Sequence, residues 1–171
     1  MKTGVTGLKL LIIALVAIAA VVATALWVSN GVITQQGLNA AKAQMKSILL
    51  GAENARNSVA DLNKTGAIDQ GKLVGDLKNY SSYRDAPVYN TIPVVAGWKA
   101  AQEVATADGL AFRVVKHQAR NPKNEPTPEE SKILSEFEKG APEYFKADRA
   151  AGTITYARPI ALTPDCLMCH G

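Results

Sequence analysis

Cys166 and Cys169 stand three positions apart, and His170 follows the second directly, in the run Cys166-Leu167-Met168-Cys169-His170-Gly171. Residues i and i+3 share one face of a helical turn, so both sulfurs can reach the two vinyl groups along one edge of a porphyrin. An imidazole one step further is carried beneath the ring, where a neutral nitrogen can ligate iron. The spacing therefore predicts covalent attachment of one c-type haem, with Cys166 and Cys169 as thioether anchors and His170 as proximal iron ligand. The chain has only two cysteines and two histidines, and both cysteines and one histidine fall within five consecutive residues, which makes the signal specific.

Two other uses of the cysteines compete. A disulfide or a redox pair of the thioredoxin kind needs the motif to open a helix after a strand in a βαβ unit, and here it follows Thr163-Pro164-Asp165 with no such unit legible. A zinc site needs a fourth ligand beside two thiolates and His170, and only His117 or a carboxylate is left to supply it.

Something must hold this tail in place, and something must set its compartment. The 171 residues are 47% hydrophobic and 20% charged, which suits one compact domain plus a membrane segment. The net charge of +4 comes from interspersed charges, so no nucleic-acid surface is expected. Residues 10–28 are apolar apart from Thr24, and nineteen helical residues span roughly 28 Å, a bilayer's hydrocarbon thickness. Lys2 and Lys9 precede this span and no positive residue follows until Lys42, which places residues 1–9 in the cytoplasm and the remainder outside. Ala23-Thr24-Ala25 also offers a signal-peptidase pattern, but the apolar run continues through Leu26, Trp27 and Val28, favouring an uncleaved anchor. Either route delivers the cysteine motif to the periplasmic side, on a domain covering residues 32–171.

After the span, Leu38, Ala41, Met45, Ile48, Leu49, Ala52, Ala55, Val59 and Leu62 recur at spacings of three and four, predicting one long helix. Gln35, Lys42, Lys46, Glu53, Arg56 and Asp61 are expected on its solvent face. Asn63 to Gly66 ends it, Asp69 caps a shorter helix, and a turn-rich link leads to a third that starts at Pro93 and stops at Asp108-Gly109, with Val94, Val95, Trp98, Ala101 and Ala105 on one face. Leu110-Ala111-Phe112-Arg113-Val114-Val115 alternates and predicts a strand. The loop after it is basic, with Arg113, Lys116, Arg120 and Lys123 and no acidic residue before Glu125. Guanidinium groups fork onto carboxylates, so this patch is a candidate cradle for haem propionates, weighed against a merely solvated loop. Thr127-Pro128-Glu129-Glu130 is a capping box that opens a helix with Ile133, Leu134 and Phe137 inward. A second strand is predicted at Thr153-Ile154-Thr155-Tyr156-Ala157-Arg158, ended by Pro159 and leading to the cysteine motif.

The runs Phe112-Arg113-Val114-Val115, Arg120-Asn121-Pro122-Lys123-Asn124-Glu125-Pro126, Tyr156-Ala157-Arg158-Pro159-Ile160 and Asp165-Cys166-Leu167-Met168-Cys169-His170-Gly171 resemble the c-type haem family of extracytoplasmic PAS-like sensor domains. Such domains sit on the N-terminal side of methyl-accepting chemotaxis proteins and sensor histidine kinases, behind a leading transmembrane helix. The resemblance implies an α+β, PAS-like fold in which a long N-terminal helix packs on a small antiparallel sheet, haem on Cys166, Cys169 and His170, and Arg120 and Arg158 as further cofactor-binding residues. It also implies a homodimer, and a cytoplasmic signalling module beyond further sequence, so the chain is expected to be a fragment or to have lost its output half. A known member uses a cysteine as second iron ligand, and this chain has no third one. The distal position is open to His117, Met45, a downstream residue or nothing, while Met168 between the thioethers is poorly placed.

Three functional classes follow: a membrane-anchored haem sensor, an electron-carrying c-type cytochrome with a periplasmic redox partner, and a module in which the cysteines merely bridge. Six prolines from Pro122 to Pro164 and the strand-like runs argue against a four-helix cytochrome. No nucleophile with an adjacent base stands out, so no enzyme is expected.

Overall fold

The computed structural model describes residues 3–119 and 121–160; the haem motif and Arg120 lie outside the described residues. The chain divides into two compact units, Met1–Ala41 and Lys42–Gly171.

The fold is α+β. The helical path expected from Leu10 toward Leu62 is realised as one 62-residue helix, α1, Thr3–Lys64. Its N-terminal stretch is long and apolar enough to cross a membrane, and its side chains, Leu10, Ile13, Val21, Leu26 and Trp27 among them, are exposed. Thr24 sits within this apolar surface with its hydroxyl donated to the carbonyl of Ala20 at 2.8 Å, so no hydroxyl proton is left unpaired.

In the second unit, α1 ends where Gly66 takes a positive φ of 73°. A polar clamp then fixes the turn: Asn63 donates to the carbonyl of Thr91 at 2.9 Å, and Gln70 donates to Asn63 at 2.8 Å and to the Thr91 hydroxyl at 2.9 Å. The short α2, Gln70–Gly75, is capped by Asp69, whose carboxylate accepts from the Lys72 amide. A single-turn helix, α3, Pro87–Asn90, occupies the link that the sequence predicted only as turns. The longer α4, Pro93–Ala107, has proline at its start and Gly109, φ 69°, just past its end.

The core is built of small side chains. Ala86, Val95, Ala101, Ala105 and Ile133 are the buried apolar residues among those described, joined by Gly97. Val94 is 42% exposed, contrary to its expected place on the inner face. The buried stripe of α4 runs through 97, 101 and 105; Val94 shares that face by helical geometry but stands in the first turn, at the end of the stripe. Gly97 matters most: a Cβ there would lie 2.5 Å from the carbonyl oxygen of Ala52 and 3.2 Å from Cβ of Arg56, so α1 and α4 approach at backbone distance.

The expected capping box is formed. Thr127 Oγ1 accepts from the Glu130 amide at 3.2 Å and the Glu130 carboxylate accepts from the Thr127 amide at 2.8 Å, opening α5, Pro128–Glu138. Two strands follow, β1 Tyr144–Asp148 and β2 Thr153–Ala157, paired antiparallel with Tyr144 opposite Ala157 and Lys146 opposite Thr155. The Asp148 carboxylate accepts from the amides of Ala150 and Ala151 at 3.1 and 3.0 Å and shapes the turn, which Gly152 closes at φ 64°.

One expected strand is absent. Residues 110–115 form no ladder, and β1 pairs with β2 instead. The Arg113 guanidinium donates to the carbonyls of Lys123 and Glu125, both at 3.1 Å, and the Lys116 amide donates to the carbonyl of Asn124 at 3.0 Å. These bonds tie the segment to the loop after it.

Candidate functional site

β2 is the element that leads toward the cysteine motif, and polar side chains fasten it to α1. Lys42 and Lys46 lie one helical turn apart and converge on Glu143, at 2.6 and 3.0 Å. Tyr156 of β2 donates its hydroxyl to the same carboxylate at 2.9 Å. The Lys42 ammonium also stands 5.5 Å over the Phe145 ring, a favourable cation–π geometry. Seven residues along α1 from Lys46, Glu53 accepts from Arg158 at 3.2 Å. Positions 42, 46 and 53 follow the i, i+4, i+11 spacing of one helical face, so a single stripe of α1 receives the hairpin.

This reverses a sequence-based expectation. Lys42, Lys46 and Glu53 do not simply face solvent: they cross-link the helix to β1 and β2, while Arg56 lies against Gly97 of α4. Periodicity scores charged side chains as outward because it cannot see a partner whose charge is opposite. The long stems of lysine and arginine cover apolar surface while their heads pair at the edge.

Hydrogen bonds from Lys42, Lys46 and Tyr156 hold the Glu143 carboxyl far below its ordinary 4.5, at about 2. Burial pushes the Tyr156 phenol upward. Because the Glu143 pKa is lowered by folding, its contribution is complete above about 4.5 and is lost as pH falls from there toward 2. Glu143→Gln is therefore expected to lower Tm at pH 7. The gap from wild type should close as the pH of the melt is lowered through that window. A constant gap down to pH 2 would show that the ion pairs do not carry the effect.

The sequence-predicted residues are placed separately. Met45 is half-buried on α1 and His117 is exposed in the turn after residue 116. Arg158 is paired with Glu53. Within the basic loop, Arg113 is engaged with Lys123, Glu125 and, at 3.4 Å, Glu130. Among the described residues no group of three or more His, Cys, Asp or Glu gathers to hold a metal ion. Glu143 was not legible in advance, although two lysines one turn apart on an otherwise docked helix call for a shared acid. Gly97 had a signal too: Gly97, Ala101 and Ala105 form a small-residue stripe suited to close helix contact.

The family model of the Tll0287-like domains matches residues 34–171. The chain belongs to the Tll0287-like family. That family is one of c-type haem sensor domains, and its match takes in the hairpin, α4 and α5, as well as the run with Cys166, Cys169 and His170. Comparison with curated proteins and with solved structures gives no match. The donor set of the Tll0287-like tail, two thiols spaced for two vinyl groups with an imidazole beside them, fits a c-type haem, and haem binding is what the family suggests.

Proposed function

We propose that the chain is the haem c sensor domain of a single-pass inner-membrane protein, PAS-like in fold, with residues 1–9 in the cytoplasm and the haem domain in the periplasm. It serves as the input module of a chemoreceptor or sensor kinase that responds to redox state or to a small ligand, and it works as a homodimer. The bound haem supplies an iron whose oxidation state or sixth ligand can change. Cys166 and Cys169 fasten the group to the chain, and His170 donates an imidazole nitrogen to the metal.

The observation that carries a sensing role is the double fastening of the hairpin to α1. Arg158 lies eight residues before Cys166, and it is held by Glu53. Tyr156 and Glu143 secure the same hairpin to Lys42 and Lys46. A displacement of the tail therefore acts on β2, and β2 acts on one stripe of α1, the helix whose apolar stretch is the membrane anchor. A carrier of electrons has no use for such a linkage, since it needs a cofactor whose surroundings stay fixed between states.

Hydrogen exchange on the full-length protein in its ferric, ferrous and CO-bound forms tests this. Protection of α1 over residues 42–56 and of β2 is expected to differ between the forms. Identical exchange in all three, together with rapid reduction by a periplasmic donor, would remove the sensor reading in favour of a membrane-anchored cytochrome.

A further inference from the structure

We propose that the hollow lined by Arg84, Asn121, Pro122 and Lys123 is a carboxylate-binding site. Its volume, about 370 Å³, admits a small acid or the acidic arm of a larger group. Two separate segments build it. Arg84 comes from the turn before α3, where the Asp85 amide donates to the carbonyl of Ser82 at 3.0 Å and the Arg84 amide to the Ser82 hydroxyl at 3.2 Å. Lys123 comes from the 3-10 turn Pro122–Asn124.

The side chain of Arg84 and the backbone of Lys123 are each fixed at the edge of the hollow. The Arg84 guanidinium lies 5.8 Å over the Tyr83 ring, with Nε donated to the Tyr83 hydroxyl at 3.4 Å. That contact uses the inner side of the fork, so the two terminal nitrogens can bind an acceptor in the planar, two-pronged manner that suits a carboxylate. The Lys123 backbone is pinned on both sides: its amide donates to Asn121 Oδ1 at 3.1 Å and its carbonyl accepts from Arg113. With Oδ1 occupied, the Asn121 amide nitrogen is left as a neutral donor at the rim.

Among the described residues the ion pairs take up Lys42, Lys46, Arg113, Lys139, Lys146 and Arg158, and neither Arg84 nor Lys123 has a carboxylate. The acids closest in sequence are Asp85, exposed beside Arg84, and Glu125, whose carboxylate accepts from the Ala119 amide. A fork and a point charge with only side-chain donors match one carboxylate. A phosphate site would add a row of backbone amides.

Two sources supply that chemistry: a propionate of the chain's own haem, which rests on the reading above, or a free small acid. Both arms use the full-length haem-loaded protein, with Arg84→Gln, Lys123→Gln and the double variant, and Lys132→Gln as a control outside the hollow. In the first arm, resonance Raman spectroscopy is expected to show the propionate bending band displaced in Arg84→Gln and the double variant but not in the control. In the second, calorimetric titration with sodium succinate is expected to give saturable binding that weakens by about tenfold or more in each single variant. A change in the first assigns the propionate, and a change in the second assigns a free acid. No difference from wild type in either arm overturns the site. If Arg84→Gln does not fold, Lys123→Gln decides, since among the described residues the Lys123 ammonium takes part in no ion pair that holds the fold. A preparation that is colourless fails the haem reading alone, and the titration still decides the hollow.

Discussion

Gly97→Ala is expected to lower the unfolding free energy by about 1–3 kcal/mol, the range for overpacking a filled contact. The added methyl would stand 2.5 Å from the carbonyl oxygen of Ala52 and 3.4 Å from its carbonyl carbon. Both are backbone atoms of α1, which no rotamer change can move aside, so the two helices must separate. Helix propensity works the other way and favours alanine by about 0.8–1 kcal/mol, which makes the steric term the one under test. Gly51 provides the contrast. It is exposed on α1, a Cβ there meets nothing within 4 Å, and Gly51→Ala is expected to raise stability by up to about 1 kcal/mol. Urea denaturation of the two variants in detergent checks the pair. Equal effects at Gly97 and Gly51 would mean that the close crossing of α1 and α4 is not what positions the domain's core.

The double variant Cys166→Ser, Cys169→Ser is expected to lose covalent haem completely. In the proposed attachment each thiol adds across one vinyl group, and a serine hydroxyl is too weak a nucleophile to replace it. His170 on its own would hold the group only by coordination, so the haem should extract into acidified organic solvent. Single variants should keep one thioether and survive extraction at reduced yield. His170→Ala should keep both links and change the absorption bands, because the imidazole sets the iron's coordination and not the attachment. Haem staining of denaturing gels and visible spectra measure these outcomes. Stained protein from the double variant would move the attachment point elsewhere in the chain.

Much of this molecule is readable from local rules, because they act within a few residues. The capping box at Thr127, the proline that starts α4, the stop at Gly109 and the Asp69 cap all depend on contacts within one turn. The strand at 153–157 was legible through its β-branched alternation. β1 was not, since Tyr144-Phe145-Lys146-Ala147-Asp148 carries no β-branched residue and is defined by pairing with β2. The run 110–115 has a strand's alternation, yet its one charged residue, Arg113, is drawn to two carbonyls of the following loop and to Glu130 of α5. Partners distant in sequence decided these two cases. The same holds for the charged stripe of α1, where Lys42 and Glu143 are separated by most of the domain. The haem motif needs no tertiary partner to be recognised, because its chemistry is complete within five residues.

The most direct test of the central claim is the intact mass and absorption spectrum of the full chain, purified after expression together with haem-ligation machinery. A polypeptide heavier by one haem, with a Soret band that persists after denaturation, is the expected result. A colourless protein with the mass of the bare polypeptide would contradict it.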